Sequence, residues 1–314
     1  SSSNDIQSDH ALIADELIKN SPVLAPPPVK KPLSRGKITT YSPPTREQID
    51  QEIDQLMSPN SSFDADIVII GSGPGGYVAA IRAAQLGAKT VCIEKAPTEW
   101  GGTCLNWGCI PTKTMIASAE RFQHVKHADK LGIVTTGEVS FDFEKIMARK
   151  DKVVTTLRGG VEALLKSNHV EKVIGTAVVS GINSVEVTTP EGTKRTITTK
   201  NIVVATGGAP VIPPIPGLTN DSGALNPGIW TSNEAVYAKS VPTNLVVIGA
   251  GAVGLEFAYV FNALGTKTSV IEFQEEVVPV GDAEVSAELR KALTKQGLKF
   301  HLSSKVTAVT KSET

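Results

Sequence analysis

From Asp64 the chain becomes a series of short apolar runs separated by glycine turns and by stretches with helical spacing. DADIVII (64–70) runs into GSGPGG (71–76), YVAAIRAAQLG (77–87) follows with its apolar residues on a helical period, and KTVCIEK (89–95) is apolar again. Strand, glycine turn, helix and strand within about 30 residues predict a βαβ unit, and therefore a parallel sheet. The unit returns further along. NLVVIGAGAVGLEFAYVFNALGTKTSVIEF (244–273) lies over DIVIIGSGPGGYVAAIRAAQLGAKTVCIEK (66–95), so that Gly71, Gly73, Gly76 and Glu94 fall on Gly249, Gly251, Gly254 and Glu272. One G-x-G-x-x-G is a weak signal. Two of them, each after a strand and each followed by a glutamate at the same distance, form a strong one.

The region between the two units has a different texture. FDFEKIMARKDKVVTTLRGGVEALLKSN (141–168) predicts a long helix, frayed at Gly159–Gly160. VEKVIGTAVVSGINSVEVTTPEGTKRTITTKNIVVATG (170–207) alternates between turn signals and predicts an antiparallel meander leading into a second apolar strand, NIVVATGG. Upstream, residues 1–60 are rich in proline and almost free of glycine. SPVLAPPPVKKP (21–32) reads as a polyproline-type linker, and REQIDQEIDQLM (46–57) as a short amphipathic helix. The expected organisation is a Pro-rich tail (1–60), an α/β dinucleotide-binding domain with an inserted meander (61–230) and the first part of a second one (231–314).

Composition narrows the function classes. A chain of 314 residues, 40% hydrophobic and 20% charged, is long enough for about two cores. A net charge of −1 gives no basic excess for nucleic acid. The most apolar stretch, 245–264, contains Glu256 and several glycines, so it reads as strand, turn and helix rather than as a membrane span. The chain starts SSS with no charged segment leading into an apolar one, which makes the cytoplasm the expected location, or an organelle matrix after processing. Three cysteines argue against a disulfide-stapled secreted protein.

The glycines have mechanical jobs: a tight turn, close backbone approach to a pyrophosphate, and close packing of helix on strand. The pyrophosphate then sits at a helix N-terminus. Glu94 and Glu272 end their strands where a carboxylate would accept hydrogen bonds from a ribose diol. At Glu272 that charge would repel a 2′-phosphate, and no arginine follows before Arg290, which favours NAD over NADP.

GGTCLNWGCIPTK (101–113) holds Cys104 and Cys109. A structural disulfide, half of a metal site and a working dithiol are all open readings. A bridge over so few residues removes little chain entropy. A zinc site wants four ligands, whereas the remaining cysteine, Cys92, lies among apolar neighbours and the nearest histidine is His124. The dithiol is favoured, and no metal is expected. Gly108 frees the backbone, Pro111 suits a first helical turn, and Cys109 at that helix N-terminus would be stabilised as a thiolate. Two dinucleotide turns and one dithiol describe an electron path between a flavin and a nicotinamide.

The redox segment has the form G-G-T-C-x4-G-C-x-P-[ST]-K, and IVVATGG (202–208) matches a second FAD-contacting strand. On these motifs, residues 64–314 resemble the FAD-dependent pyridine nucleotide-disulfide oxidoreductases. Ala252 after GAG and Glu272 as ribose ligand make the resemblance closest to the members that oxidise dihydrolipoamide. The resemblance implies FAD and NAD as cofactors, with Cys109 as the thiolate against the flavin and Cys104 exchanging with substrate. It implies that Lys113 pairs with Glu256, and that Gly102, Thr103, Lys113, Ala177, Thr206 and Gly207 line FAD. The implied substrate is dihydrolipoamide on the lipoyl domains of 2-oxoacid dehydrogenase or glycine cleavage complexes, and the implied assembly is a homodimer. Rivals are a mercuric or glutathione-type reductase and a non-catalytic FAD-binding or assembly module. Family members continue into the rest of the NAD domain, a second FAD strand and a dimerisation domain whose His-Glu pair serves as base across the dimer. This chain is therefore expected to be an N-terminal portion, since His10, His124, His127, His169 and His301 match nothing of that base. Trp107 departs from the residues usual between the cysteines, and the tail has no lipoyl-lysine turn.

Overall fold

A computed structural model describes Thr45 and residues 63–311 of the chain. The linker expected at 21–32 and the helix expected at 46–57 lie outside the described residues. The chain divides into Ser1–Ser61 and Ser62–Thr314, and every element given below belongs to the second unit.

The first sheet grows from β1 (Ala65–Ile70) and β2 (Thr90–Glu94), parallel and joined through α1 (Pro74–Gln85). Alternate residues of these strands face two different cores, because the sheet is covered on both sides. Ile69 and Cys92 pack with Ala80 of α1 and with Val154, Val161 and Leu165 of α4 (Phe143–Ser167). Val68, Ile70, Val91 and Ile93 pack on the other side, against Val185, Val187 and Ile197 of the antiparallel strands.

Three expectations need correction. Glu171–Ile174, expected to open the meander, is instead β3, paired parallel with β2 from Val91↔Glu171 to Glu94↔Ile174. Its run of Glu, Lys, Val and Ile suits an edge strand with one wet face, so alternation alone could not tell parallel from antiparallel pairing. The antiparallel part comprises β4 (Thr176–Gly181), β5 (Ser184–Thr188) and the first half of β6 (Lys194–Val204). Second, NIVVATGG is not a separate strand. β6 runs unbroken, antiparallel to β5 at Lys194–Thr198 and parallel to β1 at Thr199–Val204, giving the order β3-β2-β1-β6-β5-β4. Third, α4 does not fray at Gly159–Gly160. A Cβ at either would meet nothing within 4 Å, so both glycines face away from neighbours, while buried Val154, Val161 and Leu165 hold the opposite face. That packing outweighs a propensity cost of about 1 kcal/mol per glycine.

The second sheet repeats the first on a smaller scale: β7 (Asn244–Ile248), β8 (Lys267–Ile271) and β9 (Lys299–His301), all parallel in the order β7-β8-β9. α6 (Ala252–Ala263) and α7 (Ala283–Lys295) pack on it through Leu255, Ala258 and Leu293, against Val270 and Leu298. Among the described residues β7 is paired on one side only, and Val246 and Ile248 stay exposed at 59% and 40%. A separate core joins the two halves. Met115 and Ala119 of α3 (Cys109–Lys126), Val236 after α5 (Ser232–Ala235), and Phe257 and Phe261 of α6 form one buried cluster.

A buried lysine fastens this junction. Lys150 of α4 is 2% exposed, donates to the carbonyl of Val236 at 2.6 Å, pairs with Asp151 at 2.9 Å and lies 4.7 Å from the Tyr237 ring centroid. Its stem fills space beneath α5 while its ammonium answers a carbonyl at that helix's C-terminal end. Lys150→Ala is expected to destabilise the fold by about 2–5 kcal/mol, as buried truncations do. Lys150→Met, which keeps the stem, should cost well under half of that. Denaturant midpoints of the two variants check this, and equal losses would show that the ammonium rather than the stem matters.

Candidate active site: a dithiol between two dinucleotide turns

The first glycine turn is built by backbones in contact. Gly71 has φ +99° and sits against the Ala205 carbonyl and the Cα of Thr206, where a side chain would collide. Gly76 packs on the carbonyl of Gly71, bringing α1 down onto β1. From the other side comes the redox segment: a Cβ on Gly102, itself at φ +63°, would lie 2.5 Å from Gly73 Cα. Thr206 after β6 and Gly102 opening α2 (Gly102–Asn106) thus meet at the turn, with Gly207 and Thr103 next to them in the chain. Gly73 is the N-cap of α1 and carries no side-chain cap.

Glu94 is 8% exposed and braces this turn. Its Oε2 accepts from Ser72 N at 3.0 Å and from Ser72 Oγ at 2.6 Å, and its Oε1 accepts from Lys95 N at 2.7 Å. Gly175 N donates to the Glu94 carbonyl at 2.9 Å, which sets the start of β4, and so Ala177, beside this end of β2. The Ala177 side chain itself packs against the buried cluster that includes Ile93 and Val187.

The second turn has the same design. Gly249 has φ +99°, Gly251 caps α6 without a side-chain bond, and Gly254 packs on the Gly249 carbonyl. Glu272, 8% exposed, accepts from Ala250 N at 2.6 Å and from Gln274 N at 2.8 Å. The two turns differ in their surroundings: among the described residues a Cβ at Gly249 or Gly251 would meet nothing within 4 Å, and β7 is paired with β8 alone where β1 lies between β2 and β6. Arg290 is held by Glu276 at 2.8 Å, which keeps the Glu276 carboxyl below its usual range, so this guanidinium is already partnered. Each turn offers unclaimed N–H groups at a helix N-terminus, glycine where backbone must approach closely, and a fixed carboxylate one strand away. That donor set fits a dinucleotide at both turns.

Cys104 and Cys109 form a disulfide, with Cα atoms 4.6 Å apart. Cys104 belongs to the five-residue α2, and Cys109 is the first residue of the 18-residue α3, behind Gly108 as N-cap. No side chain caps that N-terminus, so the helix dipole and free N–H groups are available to a negative sulfur. Cys109 is exposed and Cys104 half-buried. Lys113, one turn into α3, forms an ion pair with Glu256, one turn into α6, tying the redox helix to the helix that opens at the second glycine turn. Both side chains are partly exposed, so the pair is worth about 1 kcal/mol or less. Its use is alignment. Trp107, unexplained by the sequence, packs on the cluster of Met115, Phe257 and Phe261 and so seats the redox turn against α6. Cys92 is fully buried 3.8 Å from the Gly71 carbonyl. Burial, aided by the Glu94 charge, pushes its thiol up to about 12, out of any thiol chemistry.

Sequence reasoning missed two polar residues of this site. Ser72 is fully buried and receives Gly101 N on its hydroxyl at 3.3 Å. Asn106 lies between the cysteines at 3% exposure. A polar residue in a glycine-rich or cysteine-flanked segment was the available signal, but their partners are distant in the chain. His124 and His127 fall at the opposite end of α3 from Cys109, about 20 Å along the helix at its usual rise.

The fold and site define a class, the flavoprotein disulfide reductases with paired dinucleotide turns, and the comparisons bear on it directly. The profile of the pyridine nucleotide-disulphide oxidoreductases matches residues 65–314, and the chain belongs to that family. It is 43% identical over 282 residues to the mitochondrial dihydrolipoyl dehydrogenase of Rattus norvegicus, covering 89% of this chain and 52% of the relative. It is 42% identical over 249 residues to the dihydrolipoyl dehydrogenase of Acholeplasma laidlawii, covering 79% and 71%. Among solved structures it resembles the HOCl-induced flavoprotein disulfide reductase RclA of Escherichia coli, with TM-score 0.66 and 29% identity, covering 79% of this chain and 51% of that one. The chain thus spans about half the length of the rat relative and of RclA. Among the described residues no helix is long and apolar enough to cross a membrane.

The fixed carboxylate at Glu272 yields a prediction. NAD should be preferred to NADP by about ten- to a hundredfold, the equivalent of roughly 1.5–3 kcal/mol for a charge-assisted hydrogen bond. Glu272→Gln, which keeps one acceptor oxygen but loses the charge, should narrow that ratio. Reduction of an artificial acceptor by the FAD-loaded protein with each nucleotide measures it. Equal use of both by the unmutated protein would contradict the assignment.

Proposed function

We propose that the protein to which this chain belongs oxidises dihydrolipoamide through the Cys104–Cys109 disulfide, with FAD at the first turn and NAD⁺ at the second. One observation carries this reading: the disulfide opens a long uncapped helix whose next turn is braced by Lys113–Glu256 to the second dinucleotide unit. The relatives' names support the substrate. Gly71, Gly73, Gly76, Glu94, Gly102, Thr103, Lys113, Ala177, Thr206 and Gly207 are assigned to FAD, and Gly249, Gly251, Gly254 and Glu272 to NAD.

In this reading one substrate thiolate attacks Cys104 Sγ. The Sγ–Sγ bond breaks, and Cys109 leaves as a thiolate held by the N-terminus of α3. The second substrate sulfur, once deprotonated, displaces Cys104 from the mixed disulfide, releasing the cyclic disulfide product. The two electrons now reside on the cysteine pair, with a proton on Cys104. When bound, the flavin supplies two-electron acceptance from sulfur and hydride donation to the nicotinamide. Glu94 and Glu272 hold the two glycine turns in shape through Ser72 N and Ala250 N. A base for the substrate thiol is worth about 10²–10⁴ in rate. His124 and His127 lie at the far end of α3 from Cys109, and the base is assigned to the His-Glu pair of a partner subunit in a homodimer. Lipoyl domains of 2-oxoacid dehydrogenase or glycine cleavage complexes are the proposed carriers of the substrate, in an organelle matrix or the cytoplasm.

The test is NAD⁺ reduction by the FAD-loaded full-length protein with dihydrolipoamide, glutathione or a mercuric thiolate offered as alternative substrates. Turnover is expected with dihydrolipoamide and lost by at least 10³-fold in Cys104→Ala and in Cys109→Ala. Turnover on another substrate alone would assign a different reductase. FAD binding without turnover on any of them would leave a binding module.

A further inference from the structure

Of the residues between the two cysteines, Leu105 is buried in the core with Ile69, Trp107 packs on the Met115 and Phe261 cluster, and Asn106 holds α2 by polar contacts. Asn106, 3% exposed, directs Nδ2 to the carbonyls of Glu99 at 3.2 Å, Trp100 at 3.1 Å and Gly102 at 2.9 Å. Its Oδ1 accepts from Arg158 Nε of α4 at 2.8 Å. A guanidinium can only donate and the carbonyls can only accept, so the amide has one orientation that fits, its two N–H groups shared among the three carbonyls. α2 has five residues and cannot hold its own shape. Asn106 ties its last turn to the 99–102 turn, which Ser72 in turn bonds through Gly101 N, and to the long helix behind it. Beyond Asn106, Gly108 packs on the α2 backbone, where a Cβ would lie 2.8 Å from the Thr103 carbonyl oxygen and 3.1 Å from Cys104 Cα.

We propose that Asn106 is the positioning residue of the Cys104/Cys109 couple, keeping Cys104 opposite Cys109 once their bond is open and so setting how strongly the pair prefers the disulfide. The proposal rests on the reading that this pair cycles between disulfide and dithiol. While the bond exists, it fixes the spacing of the two residues by itself. When the bond is broken, the anchoring of α2, to which Asn106 contributes the side-chain polar contacts, keeps Cys104 facing Cys109. Anchoring therefore restricts the dithiol form, raises the effective concentration of one thiol at the other and makes the couple more reducing.

The experiment equilibrates the FAD-loaded full-length protein with dithiothreitol and its cyclic disulfide. Two electrons and two protons pass from the reagent's thiols to the Sγ–Sγ bond as the reagent closes to its ring. The dithiol fraction is read by acid quench and mass-tagged alkylation of Cys104 and Cys109. Asn106→Leu removes all four contacts. Asn106→Asp keeps the acceptor for Arg158 but turns the donors into a carboxylate facing three carbonyls. The two variants change the local charge differently, so a shift common to both reports the lost anchor. Each is expected to raise the dithiol-to-disulfide ratio at least tenfold, a potential about 30 mV less negative. Arg158→Met, which spares the three carbonyl contacts, should give a smaller shift in the same direction. If Asn106→Leu does not fold, Asn106→Asp decides. A ratio within threefold of the unmutated protein in either folded variant overturns the proposal. A shifted ratio in a protein that dihydrolipoamide cannot reduce would instead sink the functional reading and leave the positioning role standing.

Discussion

Two backbones touch where Gly102 meets Gly73, and the rest of the site depends on that contact. The redox segment must reach the first dinucleotide turn without an intervening side chain, so both partners are glycine and Gly102 takes a left-handed conformation. Once Gly102 is seated, α2 and α3 follow at fixed positions, and the disulfide between them lies one short helix away from the turn that caps α1. A single methyl group at residue 102 would collide with Gly73 and push the disulfide away from the first dinucleotide turn.

The two halves solve the same problem with the same parts. In each, a buried glutamate at the end of the second strand accepts from the backbone N–H of the residue between the first two glycines, Ser72 or Ala250. A carboxylate that is buried needs such partners, and here the partners also stiffen the turn. The halves differ where their roles differ. Ser72 adds a hydroxyl that reaches both Glu94 and Gly101 N, so the first turn is locked to the redox segment. Ala250 has no such hydroxyl, so the second turn lacks that link.

Much of this was legible in the sequence because it is local. The glycine spacing, the strand-ending glutamates and the cysteine pair with Pro111 each fix conformation or chemistry within a few residues. What could not be read depends on contacts across the chain. Strand β3 looks like part of a meander until its pairing with β2 is seen, and β6 changes partners from β5 to β1 with no break in its residues. Helix α4 survives Gly159–Gly160 through a core that the sequence does not display. The polar supports are the least visible. Arg158 meets Asn106 and Lys150 meets Val236 across 52 and 86 residues, and no periodicity announces such pairs.

The account stands on Cys109, rather than Cys104, carrying the stabilised negative charge, since it opens an 18-residue uncapped helix while Cys104 sits in a helix of five. The most direct measurement is the pH dependence of alkylation of the single remaining redox cysteine in Cys104→Ser and in Cys109→Ser, both loaded with FAD. Cys109 should titrate well below the ordinary thiol value of about 8.5, and Cys104 should not. The reverse order, or an ordinary value for both, would contradict the assignment of roles within the dithiol.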